Sequence, residues 1–326
     1  MLQQTTVGAV RGRYAAFLER FPDLKALSLA REEDVLAAWS GLGYYARARN
    51  LRLSAREIAG RLGGRWPRRP EELRRLPGFG EYMAAAVAAL AFGSREPAAD
   101  ANVTRVLSRL EAIGRPAGSR AQSEAVRDFA RRLLARGRPG DVTAALMDLG
   151  QLVCTPRKPA CETCPLAELC TARARGAVAR YPRRRPRPRT ERVFVAAACA
   201  VASGRALLVR GASSPLRGLW QFPAAEGASP ADAARRLARV LRPLGVALDR
   251  GFAAASARHS IMQRRLDIRV YHARNTGPAG SRTRSPEREC GRRGSVRWFT
   301  PERLEAAAIP TLTRRVARAA GFLPAR

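Results

Sequence analysis

The chain has 326 residues, of which 46% are apolar, and its 60 basic against 27 acidic side chains give a formal charge of +33. This length can bury two cores, and the charge favours a polyanionic partner, nucleic acid first, although an arginine-rich composition explains part of the excess. No stretch approaches the roughly 18 apolar residues of a membrane span, and the start lacks a signal-peptide pattern. We therefore expect a soluble, cytoplasmic protein with no membrane partner.

The first domain is predicted to be all-α. Apolar residues recur at helical spacing from Asp34 to about Gly150, and glycine-containing turns separate the segments. One turn, Leu-Pro-Gly-Phe-Gly at 76–80, lies between a short helix that begins near Glu71 and a helix over Glu81–Phe92. Its glycines permit a tight hairpin, and the first N–H groups of the second helix can face a DNA phosphate. An ordinary turn between helices is the alternative if the segment is taken by itself.

An aspartate follows this hairpin at the start of another predicted helix. Asp100 lies 22 residues after Gly78, and the helix after it has an apolar face formed by Val103, Val106, Leu107 and Leu110. An aspartate at this place usually caps the helix. Beside a DNA-docking hairpin, the same carboxylate could also stabilise a cationic sugar during base release, and the two roles are compatible.

Four cysteines cluster after the helices. Cys154, Cys161, Cys164 and Cys170 are separated by six, two and five residues. Four thiolates this close suit a [4Fe–4S] cluster or zinc, and the presence of a single Cys-x-x-Cys pair favours the cluster. Cys199 and Cys290 fall outside the pattern and are interpreted as plain thiols.

The second domain is predicted to be α+β. Residues 181–192 contain six arginines and three prolines without apolar periodicity, which indicates an extended linker. Short apolar runs over Val193–Val201, Ala206–Val209 and Leu266–His272 predict strands, and Pro230–Leu244 predicts a helix. The chain is thus divided into an all-α domain (1–180) with a cysteine loop (154–170), the linker, and an α+β domain (193–326).

The hairpin, the aspartate and the cysteine spacing together resemble the endonuclease III superfamily of helix-hairpin-helix glycosylases. Within it, Met1–Thr5, Gly41–Asn50 and Met147–Gly150 resemble the MutY family of adenine glycosylases. The resemblance implies a monofunctional DNA N-glycosylase of base excision repair with a [4Fe–4S] cofactor. Its partner would be double-stranded DNA containing adenine opposite 8-oxoguanine or guanine. We expect a monomer associated with the bacterial nucleoid.

The resemblance also implies roles for residues of the first domain. Asp100 matches the aspartate that stabilises the sugar cation, and Asn102 matches a polar residue that helps hold the site. Tyr82 stands where glycosylase-lyases carry a Schiff-base lysine, which implies hydrolysis by water. Gln4 and Tyr44 match residues that insert into the base stack, and Leu42 matches a residue that lines the same site. The hairpin residues Pro77, Gly78 and Gly80 would bind the DNA backbone.

The second domain resembles the Nudix-like 8-oxoguanine-recognition domain of the same family. The resemblance rests on Gly218–Pro223 and Arg258–Ser260, and it implies that His259 and Ser260 contact DNA at the lesion. A working Nudix hydrolase needs a carboxylate cluster for magnesium, whereas the helix over Ala231–Leu244 contains Asp232 and no glutamate. We therefore expect this domain to bind rather than to hydrolyse.

Three departures from the family qualify this interpretation. Ile261-Met262-Gln263 replaces a lesion-contacting element, so Gln263 could take part in recognition. Ala144 stands where a side chain usually reads the adenine. The family's general-acid glutamate lies two residues before the position of Met1, which predicts slow or undetectable adenine release by these 326 residues and favours an internal start. The alternatives are a non-catalytic lesion-binding homologue, a glycosylase of altered specificity and a glycosylase-lyase for oxidised pyrimidines.

Overall fold

The computed structural model describes residues 1–3, 5–183, 190–212, 216–249, 253–261, 263–276 and 296–324. Their contacts divide the chain into two compact units. The helical unit comprises Gly60–Arg187, and the mixed unit comprises Met1–Ala59 together with Pro188–Arg326. The boundaries predicted from the sequence remain a prediction, because contacts group the first 59 residues with the C-terminal part. Of the predicted linker, residues 184–189 lie outside the described residues.

The helical unit is built from six α-helices and the cysteine loop, among its described residues. The helices are α5 (Pro70–Leu73), α6 (Glu81–Phe92), α7 (Ala101–Leu110), α8 (Arg120–Leu134), α9 (Pro139–Asp148) and α10 (Thr171–Ala174). A π-helical turn over Leu149–Val153 follows α9, and a 3-10 turn over Val178–Arg180 follows α10. The apolar face predicted for α7 is buried against α8 and α9, in a core that includes Val126, Ala130 and Leu146.

The mixed unit begins with four helices. They are α1 (Val7–Arg20), α2 (Leu24–Leu29), α3 (Glu32–Ala38) and α4 (Ala46–Ala59). Thr6 and Asp23 cap α1 and α2 by accepting bonds from the backbone N–H groups of Ala9 and Ala26. Val35, Leu36 and Trp39 form the centre of the local core.

The strands are β1 (Glu191–Ala202), β2 (Arg205–Arg210), β3 (Trp220–Gln221), β4 (Ala224–Gly227), β5 (Val246–Leu248), β6 (Ala255–Ile261), β7 (Arg264–Asn275) and β8 (Val296–Phe299). The helices among them are α11 (Pro230–Leu241), α12 (Pro301–Ala306) and α13 (Thr311–Ala319), with a 3-10 turn over Arg242–Leu244. At the centre of the sheet, β1 and β7 run parallel, and the other described pairings are antiparallel.

Helices cover both faces of β1, which explains its long apolar run. Val193, Val195 and Cys199 share one core with α13, whereas Ala196, Ala198 and Ala200 share another with α11. A strand buried on both faces need not alternate apolar with polar residues. The α+β prediction for this part is confirmed, as is the all-α prediction for the helical unit. Among the described residues, no helix is long and apolar enough to cross a membrane.

Candidate active site, iron–sulfur loop and DNA-binding surfaces

Asp100 begins α7, and its carboxylate is held in one orientation. Oδ1 accepts hydrogen bonds from the backbone N–H groups of Asn102 at 2.8 Å and Val103 at 2.7 Å. Oδ2 accepts one from Nδ2 of Asn102 at 3.3 Å. The predicted N-cap is confirmed, and the same bonds keep a partly exposed negative charge in place. A fixed charge can stabilise a transition state without reorganising during the reaction.

Asn102 connects this carboxylate to a buried arginine. Its Oδ1 accepts a hydrogen bond from Nη2 of Arg105 at 3.0 Å. Arg105 is 7% exposed, and it also donates to the carbonyl of Gly150 at 2.7 Å and to the carbonyl of Cys154 at 2.8 Å. A continuous chain of hydrogen bonds therefore joins Asp100 to the first cysteine of the loop.

Gly150 makes this approach possible. It lies in the π-helical turn after α9, and a Cβ atom built on it would lie 2.9 Å from Cβ of Asn102. Any other residue would push the turn away from α7 and withdraw the Gly150 carbonyl from Arg105. π-Helical turns are frequently found at functional sites.

Tyr82 is half-buried near Asp100. Burial raises the pKa of its phenol, and the negative charge of Asp100 raises it further. The phenol is therefore protonated at neutral pH, and it has no amine that could form an imine with a sugar aldehyde. A phenol at this position, where an imine would need an amine, is consistent with the predicted hydrolysis by water.

The predicted hairpin is present between α5 and α6. Gly78 has φ +80°, a left-handed conformation that favours glycine, and the N–H of Phe79 donates to the carbonyl of Leu76 at 3.1 Å. The N-cap of α6 is Gly80, which has no side chain to occupy the first N–H groups of the helix. Gly78 and Gly80 are exposed and Pro77 is half-buried, so the hairpin backbone is accessible to a phosphate.

The four clustered cysteines, Cys154, Cys161, Cys164 and Cys170, line one small pocket of the helical unit. Burial raises the pKa of the Cys161 thiol, and the nearness of Cys154 and Cys170 raises it further. Four thiolates in this space require a compensating cation. Among the described residues, no group of three or more His, Cys, Asp or Glu side chains is placed to hold a single metal ion. Four cysteine thiolates around one pocket are the ligand set of a [4Fe–4S] cluster, with one cysteine for each iron.

Arg109 holds the cysteine loop from the side of α7. It is 3% exposed and donates to Sγ of Cys154 at 3.2 Å, to the carbonyl of Thr155 at 2.8 Å and to the carbonyl of Tyr181 at 3.1 Å. Arg105, Arg109 and Gly150 were not predicted from the sequence. The sequence did contain a signal for the two arginines. They are four residues apart on one short helix, so they project from neighbouring turns on the same side.

Replacing Cys161 by serine is expected to remove iron and soluble yield together, because binding of the cluster is coupled to folding of the loop. Metal analysis and visible absorption of the purified protein measure the loss. Cys199→Ala is the matched control: Cys199 is buried in the sheet, where burial raises its pKa to about 12. An iron-free wild-type protein containing zinc would contradict the cluster.

Tyr44 is presented on a structured loop of the mixed unit. It is 53% exposed at φ +45°, and the guanidinium of Arg47 lies 5.5 Å from the centre of its ring. Arg47 also donates to the carbonyls of Met1, at 2.9 Å, and Gln3, and to Oγ1 of Thr5 at 2.7 Å. The two motifs predicted to wedge into DNA are thus adjacent. Gln4 itself lies outside the described residues.

Leu42 occupies a different environment from its neighbour Tyr44. It is 6% exposed and belongs to the core of α1 and α3. Its side chain is buried in this structure, and its predicted contact with DNA stays a prediction. Gln263 is exposed in the turn between β6 and β7, and Ala144 lies half-buried on α9.

His259 and Ser260 line an open cleft of about 730 Å³ in the mixed unit, together with Asp267 and four arginines, Arg192, Arg258, Arg265 and Arg315. Arg192 pairs with Asp267 at 2.5 Å, and Arg258 lies 3.7 Å from the same carboxylate. The cleft retains excess positive charge. Burial lowers the pKa of His259, and Arg315 lowers it further, so its imidazole is neutral at neutral pH.

Comparison with known families agrees with these features. A model described as the HhH-GPD superfamily base excision DNA repair protein matches residues 1–134, and a NUDIX domain model matches residues 196–319. A model of the iron–sulfur binding domain of endonuclease III matches residues 154–170. The predicted [4Fe–4S] loop is confirmed by this match.

Three relatives define the similarity. The adenine DNA glycosylase of Homo sapiens is 44% identical over 176 residues, 54% of this chain and 32% of that protein. The adenine DNA glycosylase of Arabidopsis thaliana is 32% identical over 273 residues, 72% of this chain and 43% of that protein. The thymine-DNA glycosylase of Aeropyrum pernix is 37% identical over 174 residues, 52% of this chain and 78% of that protein.

The chain belongs to the HhH-GPD superfamily of base excision DNA repair proteins, because its match covers most of the Aeropyrum pernix enzyme. Within that superfamily it is similar to the adenine DNA glycosylases of several species, as the sequence predicted. The chain spans about a third of the length of the first mammalian relatives that it matches.

Proposed function

We propose that the chain is a monofunctional DNA N-glycosylase that hydrolyses the glycosidic bond of adenine mispaired with 8-oxoguanine or guanine. In this reaction the bond between C1′ and adenine N9 breaks, water adds its oxygen to C1′, and adenine leaves with a proton. The products are free adenine and an abasic site in an intact strand. The proposal takes its substrate from the similarity to adenine DNA glycosylases.

The observation that carries the proposal is the fixed carboxylate of Asp100, whose charge reaches the phenol of Tyr82. As the glycosidic bond breaks, positive charge develops on the sugar, and a preorganised negative charge nearby stabilises it. A lysine in place of Tyr82 would favour strand cleavage through an imine, whereas a phenol leaves water as the nucleophile.

Three surfaces support the binding of duplex DNA. The hairpin offers backbone N–H groups to a phosphate, and Tyr44 offers an exposed ring that could enter the base stack. The arginine-lined cleft offers positive charge beside His259 and Ser260, where we place the strand with 8-oxoguanine. Extruding a base costs a few kcal/mol, which these contacts would offset.

The test is a panel of single-turnover reactions with matched duplexes that carry adenine opposite 8-oxoguanine, adenine opposite guanine, thymine opposite guanine or an oxidised pyrimidine. The protein is tested as these 326 residues and, where the gene encodes residues before Met1, also as the longer chain. We expect adenine release from the first two duplexes, fastest opposite 8-oxoguanine, and strand breaks only after alkali treatment.

Each alternative has its own result in the same panel. Thymine release would indicate a specificity like that named for the Aeropyrum pernix relative. Strand breakage without alkali would indicate a glycosylase-lyase. Tight lesion binding without any base release, with a cluster-loaded protein, would indicate a binding homologue.

A further inference from the structure

The loop that carries Tyr44 contains three residues with positive φ and exposes one of its two tyrosines. We call residues 40–45 the Tyr44 loop; it joins α3 to α4. Gly41 and Gly43 have φ of +92° and +69°, and Tyr44 has φ +45°. Within this loop, Tyr44 is 53% exposed whereas the next residue, Tyr45, is 5% exposed. One tyrosine therefore projects outward while its neighbour is anchored inside the mixed unit.

One backbone carbonyl binds both ends of the Tyr44 loop. The carbonyl of Ile309 accepts hydrogen bonds from Oγ of Ser40 at 3.0 Å and from the hydroxyl of Tyr45 at 2.8 Å. The Tyr45 hydroxyl in turn accepts one from the N–H of Gly41 at 3.2 Å. Burial raises the pKa of Tyr45, so the hydroxyl keeps its proton. We call these three groups, of Ser40, Tyr45 and Ile309, the Ile309 clamp.

Tyr45 of the clamp belongs to a core that also includes residues next to the sheet. Leu219 and Ala308, which flank β3 and α13 in the chain, are buried with Leu36 and Trp39 of α3. The N–H of Trp220 donates to the carbonyl of Ala308 at 2.9 Å, which fixes the segment beside the clamp to β3. The Tyr44 loop is therefore attached to the sheet and not to its own helices alone.

Helix α13 connects the clamp to the arginine-lined cleft. Nη2 of Arg314 donates to Oγ of Ser40 at 3.2 Å. Its neighbour Arg315 lines the cleft and donates to the carbonyl of Arg258, next to His259, at 2.7 Å. Consecutive residues of one helix thus contact the end of the Tyr44 loop and the strand that carries His259 and Ser260.

We propose that Ser40 and Tyr45 are positioning residues which, through the Ile309 carbonyl, fix Tyr44 relative to the cleft of His259 and Ser260. The exposed ring of Tyr44 and the cleft then contact DNA as one rigid surface. The cleft binds the base opposite the adenine while the ring enters the base stack beside it. Opening a base step costs a few kcal/mol. If the loop were flexible, Tyr44 would be displaced by the stacked bases, and binding at the cleft would no longer be linked to base opening. The inference rests on the proposed function.

The test replaces Tyr45 by phenylalanine in the full chain, which keeps the buried ring and removes the hydroxyl. Binding is measured with duplexes carrying 2-aminopurine opposite 8-oxoguanine or guanine; its fluorescence at saturating protein reports base opening and is read in the first phase after mixing, before any base is released. We expect the preference for 8-oxoguanine over guanine to fall about 3–10-fold, as for the loss of one or two buried hydrogen bonds, and the opening signal to fall with it. Ser40→Ala should change both readouts in the same direction.

The matched control is Tyr14→Phe, since Tyr14 is 55% exposed on α1 of the same unit. A double-mutant cycle of Tyr45→Phe with Ser260→Ala then measures coupling. The proposal expects the two losses of preference to be less than additive. Unchanged preference and opening in Tyr45→Phe, or full additivity, would overturn it while leaving the proposed function intact. A wild-type protein without preference for 8-oxoguanine would also overturn the inference, whereas the proposed function fails only if adenine is released opposite neither 8-oxoguanine nor guanine.

Discussion

Replacing Asp100 by asparagine is expected to lower the single-turnover rate of adenine release by about 10²–10³-fold, with duplex affinity changed far less. Asparagine caps helices as well as aspartate does, so the bonds to the N–H groups of Asn102 and Val103 can persist. The substitution removes the negative charge that stabilises the sugar cation, and it replaces Oδ2 by an amide NH2 group that cannot accept the bond from Nδ2 of Asn102. Rates are measured with excess protein over an adenine:8-oxoguanine duplex, and affinity with an uncleavable analogue.

The chain offers a matched control for this substitution. Asp23 caps α2 by accepting a bond from the N–H of Ala26 at 2.7 Å, in the same manner as Asp100 caps α7. Asp23→Asn should leave the rate unchanged. If Asp100→Asn excised adenine as fast as wild type, the carboxylate would be a helix cap without a catalytic role, and another group would have to stabilise the sugar.

Replacing Arg105 by methionine is expected to destabilise the helical unit by about 3 kcal/mol or more, and to slow adenine release in the folded fraction by about 10-fold. Methionine fills similar volume but leaves the carbonyls of Gly150 and Cys154 without their donor. It also removes the hydrogen bond from Arg105 to Oδ1 of Asn102. The side chain of Asn102, which donates to Asp100, is then held less firmly. Urea unfolding, iron content and single-turnover rate, measured on the same preparation, separate the effects.

Two further variants sharpen this experiment. Arg105→Lys keeps the charge but cannot reach all three acceptors, so we expect an intermediate result. Arg120→Met is the surface control, because Arg120 is 92% exposed and pairs with Glu124 across one helical turn. Full iron content together with a wild-type rate in Arg105→Met would show that the chain of hydrogen bonds does not connect the cysteine loop to the site.

Several features of the site could be predicted because they depend on residues close together in sequence. The cysteine spacing, the glycine hairpin and the aspartate at the start of α7 are local patterns. A helix cap is decided within three residues, and a hairpin is decided by which positions accept a left-handed backbone. The similarity to adenine DNA glycosylases was visible for the same reason, since it rests on short motifs.

Leu42 illustrates the limit of that local information. It lies in a motif with Tyr44, and both were predicted to meet DNA, yet the structure buries Leu42 and exposes Tyr44. Solvent exposure depends on what packs against the loop from elsewhere in the chain. Motif membership alone does not contain that information.

By itself, the sequence determined the class of the two folds and the presence of an iron–sulfur loop, and it supplied the four cysteines that we propose as cluster ligands and the carboxylate that we propose for the site. The tertiary structure decided what orients them: the approach of Gly150 to Asn102, the reach of Arg105 and Arg109 to the cysteine loop, and the clamp between Tyr45 and Ile309, 264 residues apart. These contacts arise from buried polar groups that must find partners once the core has closed. Which partners come within reach follows from helix and sheet packing, and not from spacing along the chain.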